Sequence, residues 1–177
     1  KCRPSGGIYA PTLRYHDGWF FMITTNVTAG GNFIVHSQNP AEGWSNPAWV
    51  DQMGIDPSLL FDDDGKVYFT STGADENGKA CILMCEVDPF TGKKKTESRI
   101  LSYGCGGRYP EGPHLYKIKG KYYLMLAEGG TEYGHMETMQ RADEPYGPYE
   151  SCPYNPILSH RNDMRGDVSC TDRKSVV

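Results

Sequence analysis

Three segments of the chain repeat one pattern, and this repeat constrains the fold more than any other feature. The segments are residues 10–25, 56–71 and 111–126. Each has a proline near its start, a short apolar run, a polar turn that ends in Gly, and an aromatic-rich run. Asp-Gly and Lys-Gly pairs between two β-rich stretches predict a strand–turn–strand hairpin in every segment.

The spacing of the repeats predicts the architecture. Pro11, Pro57 and Pro113 are 46 and 56 residues apart, and a period near fifty with one hairpin at its head fits a four-stranded propeller blade. Residues 32–37, 80–87 and 135–141 are the predicted third strands. We therefore expect an all-β protein, a β-propeller of which this chain holds about three blades.

Composition supports strands and turns and limits the partners. The chain has 12 Tyr, 21 Gly and 12 Pro, residues that suit pleated surfaces and tight turns. The net charge is −4 and the basic residues are scattered, apart from residues 93–95, so we expect no nucleic-acid partner. No stretch has the roughly 18 apolar residues of a membrane span, so we expect no membrane partner either.

Six cysteines occur without Cys-x-x-Cys pairs or His at zinc-finger spacing. We expect free, mostly buried thiols, and this slightly favours a cytoplasmic over a secreted location. The chain begins with Lys1, so the absence of a signal-peptide pattern says little about location.

Asp56 and Glu111 are the candidate catalytic residues. Innermost strands of a propeller surround a central channel, so acids just ahead of two of them converge on one axis. A pair of carboxylates across a pocket is what glycosidic hydrolysis requires, and apolar, proline-rich neighbours favour a protonated general acid. A structural alternative stays open, in which both acids only end strands and accept hydrogen bonds from turn amides. The run 62–64 indicates a hairpin tip rather than a calcium loop, because the later Glu of such a loop is missing.

The strings GGIYAPTLRYHDGWFF, GIDPSLLFDDDGKVYFTS and RYPEGPHLYKIKGKYYLMLAEGGTEYGH resemble successive blade openings of glycoside hydrolase family 43. This family contains β-xylosidases and α-L-arabinofuranosidases. The resemblance runs from about Gly6 to His160. It implies a five-bladed β-propeller that hydrolyses with inversion, and a xylo- or arabino-oligosaccharide of plant-type hemicellulose as substrate.

The resemblance also implies roles for single residues. Glu111 matches the general acid, and Asp56 matches the Asp that modulates the pKa of that acid and orients it. Substrate contacts are implied at Tyr9, Ala10, Ile55 and Thr131. No cofactor is implied and no metal ligand lies in this chain, although a complete propeller can hold a structural Ca²⁺.

Three departures from the family pattern accompany these matches. The general base of the family is an Asp upstream of the Gly-Ile-Tyr-Ala-Pro segment, and only residues 1–7 precede that segment here. A late His and a late substrate-binding Arg are also missing, since the match fades after His160. We therefore expect a fragment truncated at both ends, with residues 1–171 forming a partial catalytic propeller. Residues 172–177 match the peptide that a widely used sequencing adapter encodes, and we expect them to be a non-native tail.

Two other classes of protein remain open. A carbohydrate-binding propeller without hydrolytic activity would keep the aromatic pocket, although it would not need a rigid Glu beside a proline. A kelch or WD interaction propeller would repeat Gly-His or Trp-Asp signatures from unit to unit, and the chain has no such repeat. The sequence leaves xyloside against arabinofuranoside specificity and the oligomeric state undecided.

Overall fold

The computed structural model describes residues 4–159 of the chain. Within that range the regular structure consists of strands alone, which confirms the predicted all-β class. The strands form three antiparallel sheets, called blades 1, 2 and 3, and neighbours in sequence pair in each one. The predicted count of about three blades is therefore confirmed.

The bounds of the strands are as follows. Blade 1 contains β1 (Thr12–His16), β2 (Trp19–Asn26), β3 (Gly31–Ser37) and β4 (Ala48–Trp49). Blade 2 contains β5 (Ile55–Phe61), β6 (Val67–Ala74), β7 (Ala80–Glu86) and β8 (Arg99–Ser102). Blade 3 contains β9 (Glu111–Ile118), β10 (Lys121–Glu128), β11 (Met136–Ala142) and β12 (Glu150–Ser151), and the short β13 (Leu158–Ser159) also pairs with β11. The predicted third strands match β3, β7 and β11 to within one residue at each end.

Tight turns close the first hairpin of each blade, as the Asp-Gly and Lys-Gly pairs predict. In blade 1 only Asp17 and Gly18 separate the strands, with φ of 46° and 82°. In blade 3 Lys119 and Gly120 do the same, with φ of 51° and 77°. Two successive left-handed residues define the turn whose twist matches that of the flanking strands, and Gly accepts this conformation without strain.

Two apolar clusters hold the blades together face to face. One lies between blades 1 and 2 and the other between blades 2 and 3. The largest buried side chains of the first cluster are Phe21, Ile23, Ile34, Leu59 and Phe69. Those of the second are Tyr68, Ile82, Met84, Leu115, Leu124 and Leu126. Alternating residues of the strands supply these side chains, because successive side chains of a strand point to opposite faces.

Hydrogen bonds set the order of the innermost strands. Arg14 of β1 donates from Nε to the carbonyl oxygen of Leu59 in β5, at 3.0 Å. Ser58 of β5 donates from Oγ to the carbonyl oxygen of Pro113 in β9, at 2.7 Å. The first strands of the three blades therefore lie side by side, as the propeller prediction requires.

Four of the six cysteines lie within the described residues. Cys81 and Cys85 are buried, Cys105 and Cys152 are partly exposed, and all four are free thiols. Burial raises the pKa of Cys85 to about 11. Free thiols are thus confirmed for these four, although only two are buried, and Cys2 and Cys170 lie outside the described residues. The predicted tail at 172–177 also lies outside them. Residues 4–159 contain no helix long and apolar enough to cross a membrane.

Candidate active site

The innermost strands of blades 2 and 3 begin with the same irregularity, a β-bulge. In blade 2 the pairing moves from Ile55↔Thr72 to Ser58↔Thr70, which leaves one extra residue on β5. In blade 3 it moves from Glu111↔Ala127 to His114↔Met125, which leaves one extra residue on β9. A bulge bends its strand and turns the side chains beside it in a new direction. Each candidate acid therefore lies at the point where the pairing register of its strand shifts.

The two bulges show which residues of blades 2 and 3 occupy equivalent positions. Asp56 aligns with Gly112, and these residues have nearly equal backbone angles, φ of 52° and 54°. Glu111 aligns with Ile55 instead. The acids therefore occupy successive positions of the repeat, one residue apart, as their different distances from proline indicate.

Asp56 adopts a conformation that few non-glycine residues tolerate. Left-handed φ at a buried Asp costs on the order of 1–3 kcal/mol, and such residues cluster at functional sites. The side chain is buried, with 6% of Asp56 exposed, and Glu111 is half-buried. The less buried Glu111 is thus the better placed of the two to meet a substrate.

A direct contact brings the two acidic segments together. The hydrogen bond between Ser58 and Pro113 joins the bulges, and Asp56 and Glu111 each lie two residues ahead of a bonded residue. Thr70 of β6 also bonds with Ser58 at 3.0 Å, which fixes the Ser58 hydroxyl in a buried position. Both acids consequently lie at one end of adjacent innermost strands. We call the end of the blades at which β1, β5 and β9 begin the acid end, and the opposite end the hairpin end.

Tyr9 and Ala10 occupy the corresponding place in blade 1. The Tyr9 amide donates to the carbonyl oxygen of Thr25 at 2.9 Å, and its carbonyl oxygen accepts from Oγ1 of Thr24 at 2.8 Å. These bonds continue the sheet beyond β1, although Tyr9 is not part of a regular strand. The Tyr9 hydroxyl donates to the carbonyl oxygen of Ser5 at 3.0 Å. Tyr9 and Ala10 thus lie just ahead of β1, in the place that corresponds to Ile55 and Asp56 at the start of β5.

Two clefts open at the acid end. A shallow cleft of about 420 Å³ lies between the β2–β3 loop and residues Gly54 and Ile55. A second, of about 540 Å³, lies between residues 105–108 and the β10–β11 loop, with Gly129, Glu132 and Gly134 in its wall. Ile55 therefore lines a cleft directly, and Glu111 follows closely after a segment that lines the other.

Thr131 lies in the exposed β10–β11 loop, on the same side as Glu111. This loop is tied to the segment ahead of Glu111, because the Gly129 amide donates to the carbonyl oxygen of Arg108 at 2.6 Å. The ring of Tyr109 also lies over Gly130. Thr131 therefore lies in a loop that contacts the segment just before Glu111, and not in an inner strand.

Tyr109 is a residue of this region that the sequence reasoning did not select. It has φ of 54° and 52% of its surface is exposed. The Arg108 guanidinium lies 5.0 Å from the centre of its ring and donates to its hydroxyl at 3.0 Å. An exposed, anchored aromatic ring two residues before Glu111 offers a flat surface to a sugar. A Tyr-Pro pair beside an acid was the available signal, but it does not reveal the left-handed φ.

A partly buried hydrogen bond links two inner strands that are not neighbours. Arg14 donates from its terminal nitrogen to Nδ1 of His114 at 2.8 Å. Because a guanidinium only donates, Nδ1 is the acceptor and any hydrogen of a neutral ring lies on Nε2. Burial lowers the pKa of Arg14, and the neighbouring Tyr116 works in the opposite direction. The bridge connects blade 1 to blade 3 across β5, and the sequence pattern gave no sign of it.

Among residues 4–159, Asp17, Asp51 and Asp75 lie outside the inner strands. Asp17 is in the β1–β2 turn at the hairpin end, and Asp51 follows the outermost strand of blade 1. Asp75 is in the β6–β7 turn, where it accepts hydrogen bonds from the amides of Asn77 and Lys79. The bond from the Lys79 amide is the main reason that the pKa of Asp75 is lowered. These positions suit turn stabilisation.

No group of three or more metal-ligating side chains comes together among residues 4–159. The aspartates at the tip of blade 2 bind lysines instead. Lys117 contacts both Asp62 and Asp63, and Lys66 pairs with Asp64. Residues 62–66 connect the paired strands β5 and β6, which confirms that residues 62–64 lie at a hairpin tip.

Comparison with known proteins identifies the family. The family model described as glycosyl hydrolases family 43 matches residues 1–177. A non-reducing end alpha-L-arabinofuranosidase of Bacteroides ovatus is 50% identical over 161 residues, which cover 89% of this chain and 30% of that protein. A xylosidase/arabinosidase of Butyrivibrio fibrisolvens is 46% identical over 168 residues, which cover 89% of this chain and 32% of that protein.

Solved structures agree with the sequence comparison. The crystal structure of a family 43 protein retrieved from a capybara gut metagenome has a TM-score of 0.85 and 41% identity, and the match covers 91% of this chain and 33% of that one. The structural neighbours are five-bladed β-propeller enzymes, so the three blades are part of such a ring. The chain spans about a third of the length of the relatives it matches. With a family model that matches its whole length, the chain belongs to the glycosyl hydrolases of family 43.

Proposed function

We propose that the protein carrying this chain is an inverting glycoside hydrolase that removes xylosyl or arabinofuranosyl residues from hemicellulose oligosaccharides. One observation supports this proposal most strongly. Two acids, one buried in a strained conformation and one half-buried, lie at bulges that begin adjacent innermost strands. A second carboxyl group held beside a general acid can raise the pKa of that acid and orient it, as proton donation to a glycosidic oxygen requires.

In the proposed reaction Glu111 is the general acid. Its carboxyl proton passes to the glycosidic oxygen as the bond from that oxygen to the anomeric carbon breaks. A water molecule attacks the anomeric carbon from the opposite face and loses a proton to a general base. Asp56 modulates the pKa of the acid and orients it from the neighbouring strand. We assign the general base to a part of the propeller outside this chain, because Asp17, Asp51 and Asp75 have turn or outer-strand positions.

Substrate contacts are proposed at Tyr9, Ala10, Ile55 and Thr131. Ile55 begins β5, Tyr9 and Ala10 lie just ahead of β1, and Thr131 lies in the loop tied to the segment before Glu111. Relatives named as arabinofuranosidase and as xylosidase/arabinosidase are both close in sequence. We therefore propose a non-reducing-end pentose as the sugar bound, without a choice between the two. No cofactor takes part in the proposed reaction.

A non-catalytic carbohydrate-binding propeller is the alternative. Such a protein would keep the exposed Tyr109 and the clefts but would not need a strained Asp56. Because left-handed φ at a buried acid is costly, its presence favours catalysis over binding alone.

The test uses Glu111→Gln in the chain extended in both directions to natural ends. General acid catalysis contributes about 10²- to 10⁴-fold, so kcat should fall by that amount for an alkyl pentoside. For a dinitrophenyl pentoside, whose leaving group needs no proton, the loss should be at least tenfold smaller. Equal losses on both substrates would contradict the assignment of Glu111. If the unmodified protein binds xylo-oligosaccharides but hydrolyses neither pentoside, that result would support the alternative.

Asp56→Asn in the same protein tests the second role. Removing a negative charge near Glu111 makes loss of its proton easier, so the alkaline limb of the pH–rate profile should move to lower pH. A limb that stays in place while kcat falls would contradict the modulating role.

When expressed alone, this 177-residue chain should be inactive and poorly stable. Without a base no group takes the proton of the attacking water, and open blade faces leave apolar side chains such as Leu13 and Tyr15 exposed. The measurement compares residues 1–171 with the extended protein by urea unfolding and pentoside hydrolysis. Cooperative unfolding and hydrolysis by residues 1–171 would require the base to be found within this chain.

A further inference from the structure

Glu128 is a fully buried acid with no place in the proposed reaction. It ends β10, and none of its surface is exposed. Its two oxygens accept three hydrogen bonds, from the amide of Cys105 at 2.6 Å, the amide of Gly107 at 2.5 Å and Oγ1 of Thr138 at 2.7 Å. Burial of a carboxyl group is tolerated only where such partners compensate for lost hydration.

The loop of residues 103–110 is folded closely around this carboxylate. A Cβ added to Gly107 would overlap Oε2 of Glu128 and the end of Met136. A Cβ added to Gly104 would lie 3.0 Å from Oε1 of Glu128 and 3.1 Å from Cβ of Pro110. The two glycines therefore allow the loop backbone to approach the carboxylate, as close approach to a binding group requires. Glu128 therefore explains Gly104 and Gly107, whereas Gly106 has open space around it.

The loop leads directly into the candidate acid. Glu111 follows Pro110, and its partner in the ladder is Ala127, the residue just before Glu128. The bond from Gly129 to Arg108 closes the loop from the other side of Glu128. Residues 127–129, at the end of β10 and just beyond it, thus contact Glu111 and the segment before it at three successive positions.

We propose that Glu128 is a positioning residue that fixes the backbone of residues 104–110 and so sets the direction of Glu111. This inference depends on the proposed role of Glu111. Glu128 touches neither substrate nor reacting atoms, and it acts only through the loop it binds. A displacement of about 1 Å at a catalytic group lowers a rate by about a hundredfold, so the placement of this loop matters for proton transfer.

Glu128→Gln tests the proposal in the extended protein. The amide keeps the size of the carboxylate, but its NH₂ group would face an N–H or O–H donor instead of accepting from it. We expect kcat for an alkyl pentoside to fall by about ten- to a hundredfold. For a dinitrophenyl pentoside the fall should be at least fivefold smaller, because proton transfer from Glu111 is not needed there. A purely structural residue would lower both rates equally, and that result would overturn the proposal.

A matched pair at Thr138 covers the case in which Glu128→Gln does not fold. Thr138→Val removes the hydroxyl that binds Glu128, and Thr138→Ser keeps it. Only Thr138→Val should show the leaving-group dependence and faster hydrogen exchange at the amides of residues 105 and 107. Identical behaviour of the two variants would overturn the proposal.

Glu111→Gln is measured alongside to separate two failures. If Glu111→Gln shows the leaving-group dependence and the Glu128 and Thr138 variants do not, the positioning role is wrong and the general acid stands. If Glu111→Gln itself affects both substrates equally, the proposed function fails first and the positioning role fails with it.

Discussion

The acid end and the hairpin end of the three blades are built from the same repeat but differ in their backbone. At the acid end the inner strands begin with bulges, and Asp56 and Tyr109 are held at positive φ. At the hairpin end Asp17 and Lys119 have the same sign of φ, but inside two-residue turns that favour it. Similar positive φ values are thus favoured by the turns at the hairpin end and are strained at the acid end.

Polar side chains differ in the same way. At the hairpin end Lys117 of blade 3 reaches the buried Asp62 of blade 2, and the Tyr122 hydroxyl donates to the same carboxylate at 2.5 Å. These groups neutralise each other and lock two blades together. At the acid end the carboxyl groups of Asp56 and Glu111 instead lie on two neighbouring inner strands, β5 and β9. The two ends thus differ in their polar groups, because a buried ion pair joins two blades at the hairpin end and the proposed catalytic acids lie at the acid end.

Alanine at Gly54, at the acid end, should have the largest effect, and alanine at Gly65, at the hairpin end, should have a small one. Gly54 (φ 100°) and Gly65 (φ 80°) both have left-handed backbones, but a Cβ on Gly54 would overlap the Thr72 carbonyl group whereas one on Gly65 meets no atom within 4 Å. Gly65→Ala should lower the free energy of unfolding by about 1 kcal/mol, the ordinary penalty for left-handed Ala. Gly54→Ala should lower it by more than about 3 kcal/mol or prevent folding, because backbone atoms cannot move aside cheaply. Urea unfolding of both variants in the extended protein measures this, and equal losses would contradict it.

Breaking the lock between blades 2 and 3 should have an intermediate effect. Asp62→Asn removes the charge that Lys117 and Tyr122 bind, and hydrogen bonds to a buried charged group contribute about 1.5–3 kcal/mol. We expect a loss of about 1.5 kcal/mol in the free energy of unfolding, since Asp63 retains part of the contact with Lys117. Asp143→Asn is the control, because Asp143 pairs with Lys121 at the surface and exposed pairs contribute little. A similar loss in both variants would show that burial at this end is unimportant.

The pH dependence of the same lock should be the smallest effect. Burial alone would raise the pKa of Asp62, but hydrogen bonds from Lys117, Tyr122 and the Asp63 amide outweigh it and hold the pKa below its usual value. The lock is therefore complete above the unfolded pKa of about 3.9 and is lost as the pH falls through the lower folded value. Urea unfolding between pH 7 and pH 2.5 should show a steeper loss of stability below about pH 4 in the unmodified protein than in Asp62→Asn. Parallel curves would exclude the lock as the cause.

Short sequence patterns predict the hairpins, the repeat and the candidate acids of this chain. Asp-Gly and Lys-Gly pairs define turns through the backbone preferences of two residues, so the hairpins of blades 1 and 3 follow from the sequence. The period near fifty follows for the same reason, because each unit repeats the turn and the runs around it. Asp56 and Glu111 could be selected as acids since they precede two of these runs.

The sequence by itself therefore determined the strands, the three-blade repeat and the candidate acids, because each depends on residues close together in the chain. The tertiary structure decided the rest. The bulges that separate Asp56 from Glu111 by one position arise from pairing with β6 and β10, and the Arg14–His114 bridge joins residues 100 positions apart. Glu128 binds the amides of Cys105 and Gly107, which are 23 and 21 positions earlier in the chain. Such contacts depend on packing between distant segments, which a periodic pattern does not encode.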